Sequence, residues 1–319
     1  MSGLRINYSK TRIVWVGSKK FSKEVFHRDK WKLEWGAENF NLLGVNFSVN
    51  IDEMVTDNFE PKIMEMKNSI KNWSSRKLTV LGRIVVVKTL IIPKIIHLLI
   101  ALPNPTEKII KQINKMLYCF IWQLKPEQIK REILEQEYKN GRLKMLNINN
   151  FMIALKSTWI RRLYMSNSNW VYMFQAVTGI TTANLIIYGD HYIQIQKIKI
   201  KNTFWKDVLQ SWQTIQQKQT YKNTEEVYRT NIWKNSNIRK DNKPMVYKNY
   251  IKKGIIFIQD LLDEHGQFMN YEIFKEKYNV NSIFFKYGTL IKVVKLFISN
   301  ITNMCNQICT PLNPIFPFK

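Results

Sequence analysis

The 319-residue sequence predicts a mainly α-helical chain with a small β element at its N-terminus. Three observations lead there. Apolar residues alternate with polar ones only within residues 1–50, and from Asp57 onward their spacing becomes helical. Hydrophobic residues make up 45% of the chain and aromatics 13%, enough to build real cores. Residues 1–50 are therefore expected to hold a few strands, 51–165 a first helical domain, and 166–319 a second, basic and mostly helical region.

Within the first segment, Ile13 to Val16 is a short apolar run closed by Gly17. Leu33 and Trp35 alternate with charge, and Leu43, Val45 and Phe47 alternate with polar residues, so three short strands are expected. The helical pattern that follows places Phe59, Ile63, Met66, Ile70 and Trp73 on one narrow face flanked by Lys67 and Lys71. That stripe is core, with Trp73 buried at its end; an exposed Trp73 would instead offer a surface on which a base stacks.

Ser74 to Lys77 form a polar, positively charged turn before Thr79, which caps a new helix. Gly82 in the first turn of that helix costs about 1 kcal/mol against alanine, which suggests that some backbone comes close there. Pro93 breaks or kinks the segment. Asn104 as cap, Pro105 in first position and Glu107 three residues past the cap mark the next helix start. Ile109, Ile113, Met116, Leu117 and Phe120 form its buried face. Lys108, Lys111 and Lys115 lie opposite, either solvated or touching a nucleic-acid backbone.

A charged helix from Pro126 to Tyr138 carries Lys130 and Arg131 and stops at Asn140-Gly141. Met152, Leu155, Trp159 and Leu163 stripe the next, Phe151 to Tyr164. Beyond Ser166 the composition shifts to Asn, Lys and aromatic residues, and a boundary is expected. Between Asn242 and Tyr278 a helix over Gly254–Leu262, a turn at His265-Gly266 and a second helix after Asn270 are predicted. Asp260, Asp263, Glu264 and His265 could hold a metal or do acid-base work, but a polar turn that closes a helix explains them more simply.

A net charge of +25 points to a polyphosphate partner, nucleic acid ahead of an anionic membrane. Compositional bias explains part of the lysine excess but not Arg76, Arg83 and Arg131. Three cysteines on so long a chain suggest reduced thiols and an intracellular setting, nucleus or cytoplasm. Cys119 sits in an apolar run, and Cys305 with Cys309 lacks the further ligands that zinc requires. The start shows no apolar signal core. The most apolar stretch, Leu90 to Leu102, is interrupted by Pro93, Lys94 and His97, so no membrane partner is expected.

The order W-S-S-R-K-L-T-V-L-G-R-I-V-V-V-K-T-L-I-I-P-K, from Trp73 to Lys94, resembles the thumb helices of reverse transcriptases from non-LTR (LINE-type) retrotransposons. Gly3 to Gly17 resembles the segment after the catalytic strand-turn-strand of the palm, and Phe40 to Phe47 the primer-grip hairpin. Tyr138 to Asn147 is similar to the Gly-Gly-Leu-basic segment beyond the thumb, with Arg142 in place of the second glycine. The resemblance implies a remnant of the palm's sheet edge, a thumb-like bundle and a C-terminal helical region.

Polymerases of this class hold two Mg²⁺ ions with adjacent aspartates, and no Asp-Asp pair occurs in the sequence. The family places that pair upstream of the Gly3–Gly17 segment, so the chain is expected to be a non-catalytic C-terminal fragment. It would need no cofactor itself, Mg²⁺ belonging to the full-length parent. The implied partner is the template-primer duplex, RNA and DNA, held through Lys71, Arg76, Lys77, Arg83 and Lys88. Arg83 and Lys88 do not stack on one helical face. Lys10 and Thr11 are palm-like positions before the first strand. Of these the resemblance places Lys10 near the nucleotide path, a role idle without the aspartates, although a solvated lysine before a strand is at least an equal reading. Leu43 with Gly44 would lie in the primer grip. The family's Cys/His knuckle is not carried over. Two rival readings are a relic without function and a co-opted scaffold that binds proteins with salt-tolerant affinity.

Overall fold

A computed structural model of the chain describes residues 7, 11–15, 34–35, 39–48, 50–136, 142–165, 169–185, 187, 199–217, 221, 223–281 and 283–305. The fold is mainly helical, with short strands at the N-terminus followed by helical bundles. It divides into two compact units, Met1–Leu155 and Lys156–Lys319. The division falls inside a helix and not at Ser166.

In the first unit, β1 (Arg12–Ile13) pairs in parallel with β2 (Glu34–Trp35), and β3 (Asn39–Leu42) pairs antiparallel with β4 (Val45–Ser48). Val16, Gly17 and Leu33 lie outside the described residues. The third expected strand is the second arm of a hairpin, which stands where Phe40 to Phe47 was expected to form one. Leu43 (φ 52°) and Gly44 (φ 77°) form its two-residue turn, since paired left-handed residues match the twist of the flanking strands. Phe40 stacks on Phe47 at 5.2 Å.

The hairpin is tied to α1 (Ile51–Ser74) by a buried Asn58. Its amide donates to the carbonyls of Asn46 and Met54, both at 2.7 Å, and its oxygen accepts from Asn46 N–H at 2.8 Å. The hairpin therefore does not stand apart from the helices, for Val45 belongs to the same core as Phe59 and Met66. The helix starts at Ile51, earlier than Asp57, and tolerates Pro61 on its exposed side, where water can take the carbonyl left without an N–H. Phe59, Ile63 and Met66 are buried as the stripe requires, while Ile70 and Trp73 are half-buried.

Thr79 caps α2 (Val80–Val86) by accepting from Gly82 N–H at 3.2 Å. The inference drawn from Gly82 is overturned. A Cβ there would meet only Leu78 and Thr79, at 3.6 Å, an ordinary contact with its own turn. A π-helical segment, Val87–Ile91, leads into α3 (Pro93–Ala101), bent by 46° from the preceding stretch. Pro93 lacks the N–H that an α-helix would use and its ring crowds the Thr89 carbonyl. Among the described residues no single helix is long and apolar enough to cross a membrane. The bent pair Val80–Ile91 and Pro93–Ala101 passes by length and composition, but Ile84, Val87, Ile91, Ile95 and Leu98 are fully buried in the first unit's core.

The next helix, α4 (Glu107–Ile121), begins after Thr106, so the start expected at Asn104 and Pro105 is displaced by one short extended stretch. The charged helix shrinks to α5 (Arg131–Glu135), and the Asn140-Gly141 stop lies outside the described residues. α6 (Ile148–Met165) crosses the division: Ile148 belongs to the first core, Ile160 and Leu163 to a core of the second unit.

In the second unit, α7 (Asn169–Thr178) and α8 (Thr203–Gln217) pack Phe174 against Trp205 edge to face, with ring centroids 5.0 Å apart. A separate core is built on aromatic rings: Trp233, Tyr250, Phe274 and Tyr287 follow one another at 6.1, 5.4 and 4.3 Å. Trp233 Nε1 donates to the Ile255 carbonyl and Tyr287 Oη to that of Met269, both at 2.6 Å, so the polar ends of these rings are satisfied. Burial pushes the Tyr287 hydroxyl up to about 12.

The helix expected over Gly254–Leu262 is corrected as well. A short α9 (Thr224–Tyr228) and a two-strand ribbon, β5 (Arg239–Lys240) with β6 (Lys243–Pro244), precede α10 (Lys248–Lys252). Gly254 then turns with φ 80°, and a 3-10 turn covers Ile258–Leu261. The left-handed glycine stops any helix from running through. The turn at Gly266 (φ 74°) and the helix after Asn270, α11 (Tyr271–Tyr278), occur where predicted, followed by α12 (Phe284–Cys305).

Candidate nucleic-acid interface

The C-terminal end of α1 and the turn after it carry the predicted cations. Lys71, Arg76 and Lys77 are all exposed. Arg76 lays its guanidinium over the Trp73 ring, 4.1 Å from the centroid, so its charge is held near the surface by a cation-π contact. Its backbone N–H donates to the Trp73 carbonyl at 3.2 Å, which shapes the turn. From Met66 to Thr106 the chain has no acidic residue at all, so nothing along it neutralises this end of the helix. Trp73 is half-buried, packed against the first core on one side, and so only partly as buried as expected.

Arg83 does not belong with them. It is 8% exposed, and its guanidinium donates to the carbonyls of Ile121, at 2.7 Å, and Leu78. Those are the carbonyls at the end of α4 and just before α2, which have no helical partner of their own. Arg83 is thus a fastener between helix ends and is withdrawn from the surface set. The signal lay in the spacing: position 83 falls beside Ile84 on the stripe that Val80, Val87 and Ile91 continue. Lys88, on the π-helical segment, is half-buried and lies away from the turn in sequence.

Among the palm-like positions, Lys10 lies outside the described residues. Thr11 is half-buried, and its hydroxyl donates to the Asn7 carbonyl at 2.8 Å. Leu43 is 92% exposed at the hairpin tip, and Gly44 beside it has open space where a Cβ would stand. On α4, Lys108 and Lys115 are exposed, and Lys111, also exposed, pairs with Glu107 at 2.9 Å, a placement that fits either reading of this lysine face.

Arg131 is engaged elsewhere. It lies 4.1 Å from the Tyr118 ring centroid and its Nε donates to both oxygens of Glu127, at 3.1 and 2.9 Å. The paired carboxylate raises the Arg131 value and is itself held below the usual range. Burial and the neighbouring Glu135, which accepts from the phenol at 3.2 Å, push the Tyr118 hydroxyl up.

The acidic cluster of the second unit resolves into turns. Asp260 Oδ2 accepts from the N–H groups of Ile256 and Phe257 at 2.7 Å, and Asp263 Oδ1 from those of His265 and Gln267 at 2.9 and 2.8 Å. Among the described residues no group of three or more His, Cys, Asp or Glu is placed to hold a metal. Cys309 lies outside them.

One buried cation was missed. Lys156 has no exposed surface, and its ammonium sits 4.4 Å from the Phe204 ring centroid. Desolvation lowers its value to about 7, and the charge of Asp207 opposes that shift. No protein-family model matches the chain.

Proposed function

We propose that the first unit binds the phosphate backbone of RNA and DNA duplexes through Lys71, Arg76 and Lys77, and that the chain is a non-catalytic part of a non-LTR retrotransposon reverse transcriptase. The observation that carries the binding role is the Arg76–Trp73 stack at the exposed end of α1, inside a stretch without acidic residues. A guanidinium stacked on an indole face keeps its in-plane N–H groups available, and with no ion pair to Arg76 among the described residues they can fork around a phosphate. Support for the retroelement origin is the motif order around that stack, Trp-Ser-Ser-Arg-Lys-Leu-Thr followed by Gly-Arg and Pro-Lys. Positioning a duplex by its backbone carries affinity with little sequence information.

Duplexes of different sequence should bind within a few-fold of one another, and affinity should fall steeply as salt rises, because each neutralised phosphate releases condensed counterion. Fluorescence anisotropy with several RNA·DNA hybrids across a salt series checks both expectations. Sequence-selective binding, or affinity indifferent to salt, would count against the proposal. Primer extension with Mg²⁺ should be absent from the same preparation, since no adjacent aspartates are present to clamp two ions.

A further inference from the structure

We infer that a groove between the C-terminal ends of α1 and α4 docks an acidic amphipathic helix of a protein partner. Ile70 and Ser74 line one wall, Met116, Cys119 and Phe120 the other, and Leu124 stands at the lip; the space is about 410 Å³ and open along one side. Of its polar members, Ser74 and Arg83 are largely engaged, which leaves the Gln123 amide beside Leu124. Ser74 Oγ donates to the Ile70 carbonyl at 2.7 Å, and the Arg83 guanidinium is bound to two carbonyls. A nucleobase placed there would lose water from its polar edge, with the single Gln123 amide as the main replacement. An apolar side chain would lose nothing.

The lip itself departs from ordinary economy. Leu124 is 86% exposed and left-handed (φ 62°), following Gln123, also left-handed (φ 52°). Each feature costs stability in the free chain: the left-handed conformation for a residue with a Cβ, and the hydration of a full leucine side chain. Glycine would meet the backbone requirement without either cost. An apolar partner that covers Leu124 removes the second cost.

Charge selects the partner. No acidic residue occurs from Met66 to Thr106 or from Lys108 to Pro126, the two stretches that supply both walls, and Lys71, Arg76 and Lys77 are exposed at the same end of α1. An open apolar trough with a cationic edge matches a helix whose anchors at i, i+3, i+4 and i+7 enter the trough while flanking carboxylates meet the edge. A lipid chain in so open a trough would stay largely wet.

The probe is a fluorescent synthetic helix with leucine at those four positions and glutamate on the flanks, alongside a twin with lysine for glutamate. The protein is the full chain carrying Cys305→Ser and Cys309→Ser, so that Cys119 in the groove wall is the remaining thiol. The acidic peptide should bind, should slow alkylation of Cys119 by a bulky maleimide about tenfold at saturation, and the lysine twin should do neither. Leu124→Gly should weaken the peptide about tenfold while its melting temperature holds or rises and its affinity for an RNA·DNA duplex stays unchanged. Equal binding of both peptides, protection of Cys119 by an oligonucleotide or anionic vesicles and not by the peptide, or a Leu124→Gly chain that keeps its peptide affinity would each overturn the inference.

Discussion

Replacing Arg83 with alanine should destabilise the first unit by about 3 to 5 kcal/mol, because the change strands two carbonyls at helix ends and removes two charge-assisted hydrogen bonds. Thermal melting should fall by roughly 10 °C on the scale usual for a domain of this size. Arg83→Lys should restore little, since one ammonium cannot reach two carbonyls that the planar guanidinium spans. If Arg83→Ala melted as the parent does and lost only duplex affinity, the residue would be a surface contact and not a fastener between helix ends.

The second large effect lies in the other unit, and its sign is opposite. Lys156→Met should raise stability at neutral pH by about 1 kcal/mol or more, since a methionine of similar length keeps the contact with Phe204 and needs no hydration, and desolvation outweighs the attraction of Asp207 that the change gives up. The pH dependence identifies the cause. The folded value of about 7 lies below the ordinary 10.5, so between them the unfolded chain binds more protons and stability rises with pH. The slope from this one group approaches about 1.4 kcal/mol per pH unit in that window and vanishes below it. Urea unfolding from neutral to alkaline pH should show the slope in the parent and its loss in Lys156→Met. A variant that keeps the slope and loses stability would mean that the ammonium is charged and well paired in the folded state.

Both cations were visible in the sequence as exceptions to a pattern. Lys156 sits among Met152, Trp159, Ile160 and Leu163 at helical spacing, just as Arg83 sits among Val80, Ile84 and Val87. A charge on an apolar stripe is ordinarily read as the stripe's edge. Here the stripe is wide enough to enclose it, and only the tertiary packing decides that. The stripe of α1, the Thr79 cap and the break at Pro93 were legible because each rests on local chemistry: periodicity, one side-chain acceptor, one missing N–H.

Elsewhere local signals competed and lost. Asn104 and Pro105 offered a better helix start than Thr106, yet the chain enters α4 only at Glu107, since Leu102, Pro103 and Pro105 are buried along an extended approach. Between Gly254 and Leu262 the apolar run suggested a helix. The left-handed Gly254 and the Asp260 carboxylate, which gathers the N–H groups of Ile256 and Phe257, make it a turn. Of the proposed interface, the basic turn was legible as charge; the Trp73–Arg76 stack that gives it shape was not, because it depends on the direction the chain takes after Ser74.

The most direct test of the binding surface compares two triple variants by duplex affinity across salt: Lys71→Ala, Arg76→Ala, Lys77→Ala, and Lys108→Ala, Lys111→Ala, Lys115→Ala. Both remove the same formal charge from exposed positions on the first unit. The first should weaken binding and lower the slope of log affinity against log salt by roughly 2 to 3, about 0.9 for each lost phosphate contact on B-form DNA, while the second should change it far less. Equal losses from the two triples would mean diffuse attraction to a basic chain and would contradict a defined surface at the end of α1.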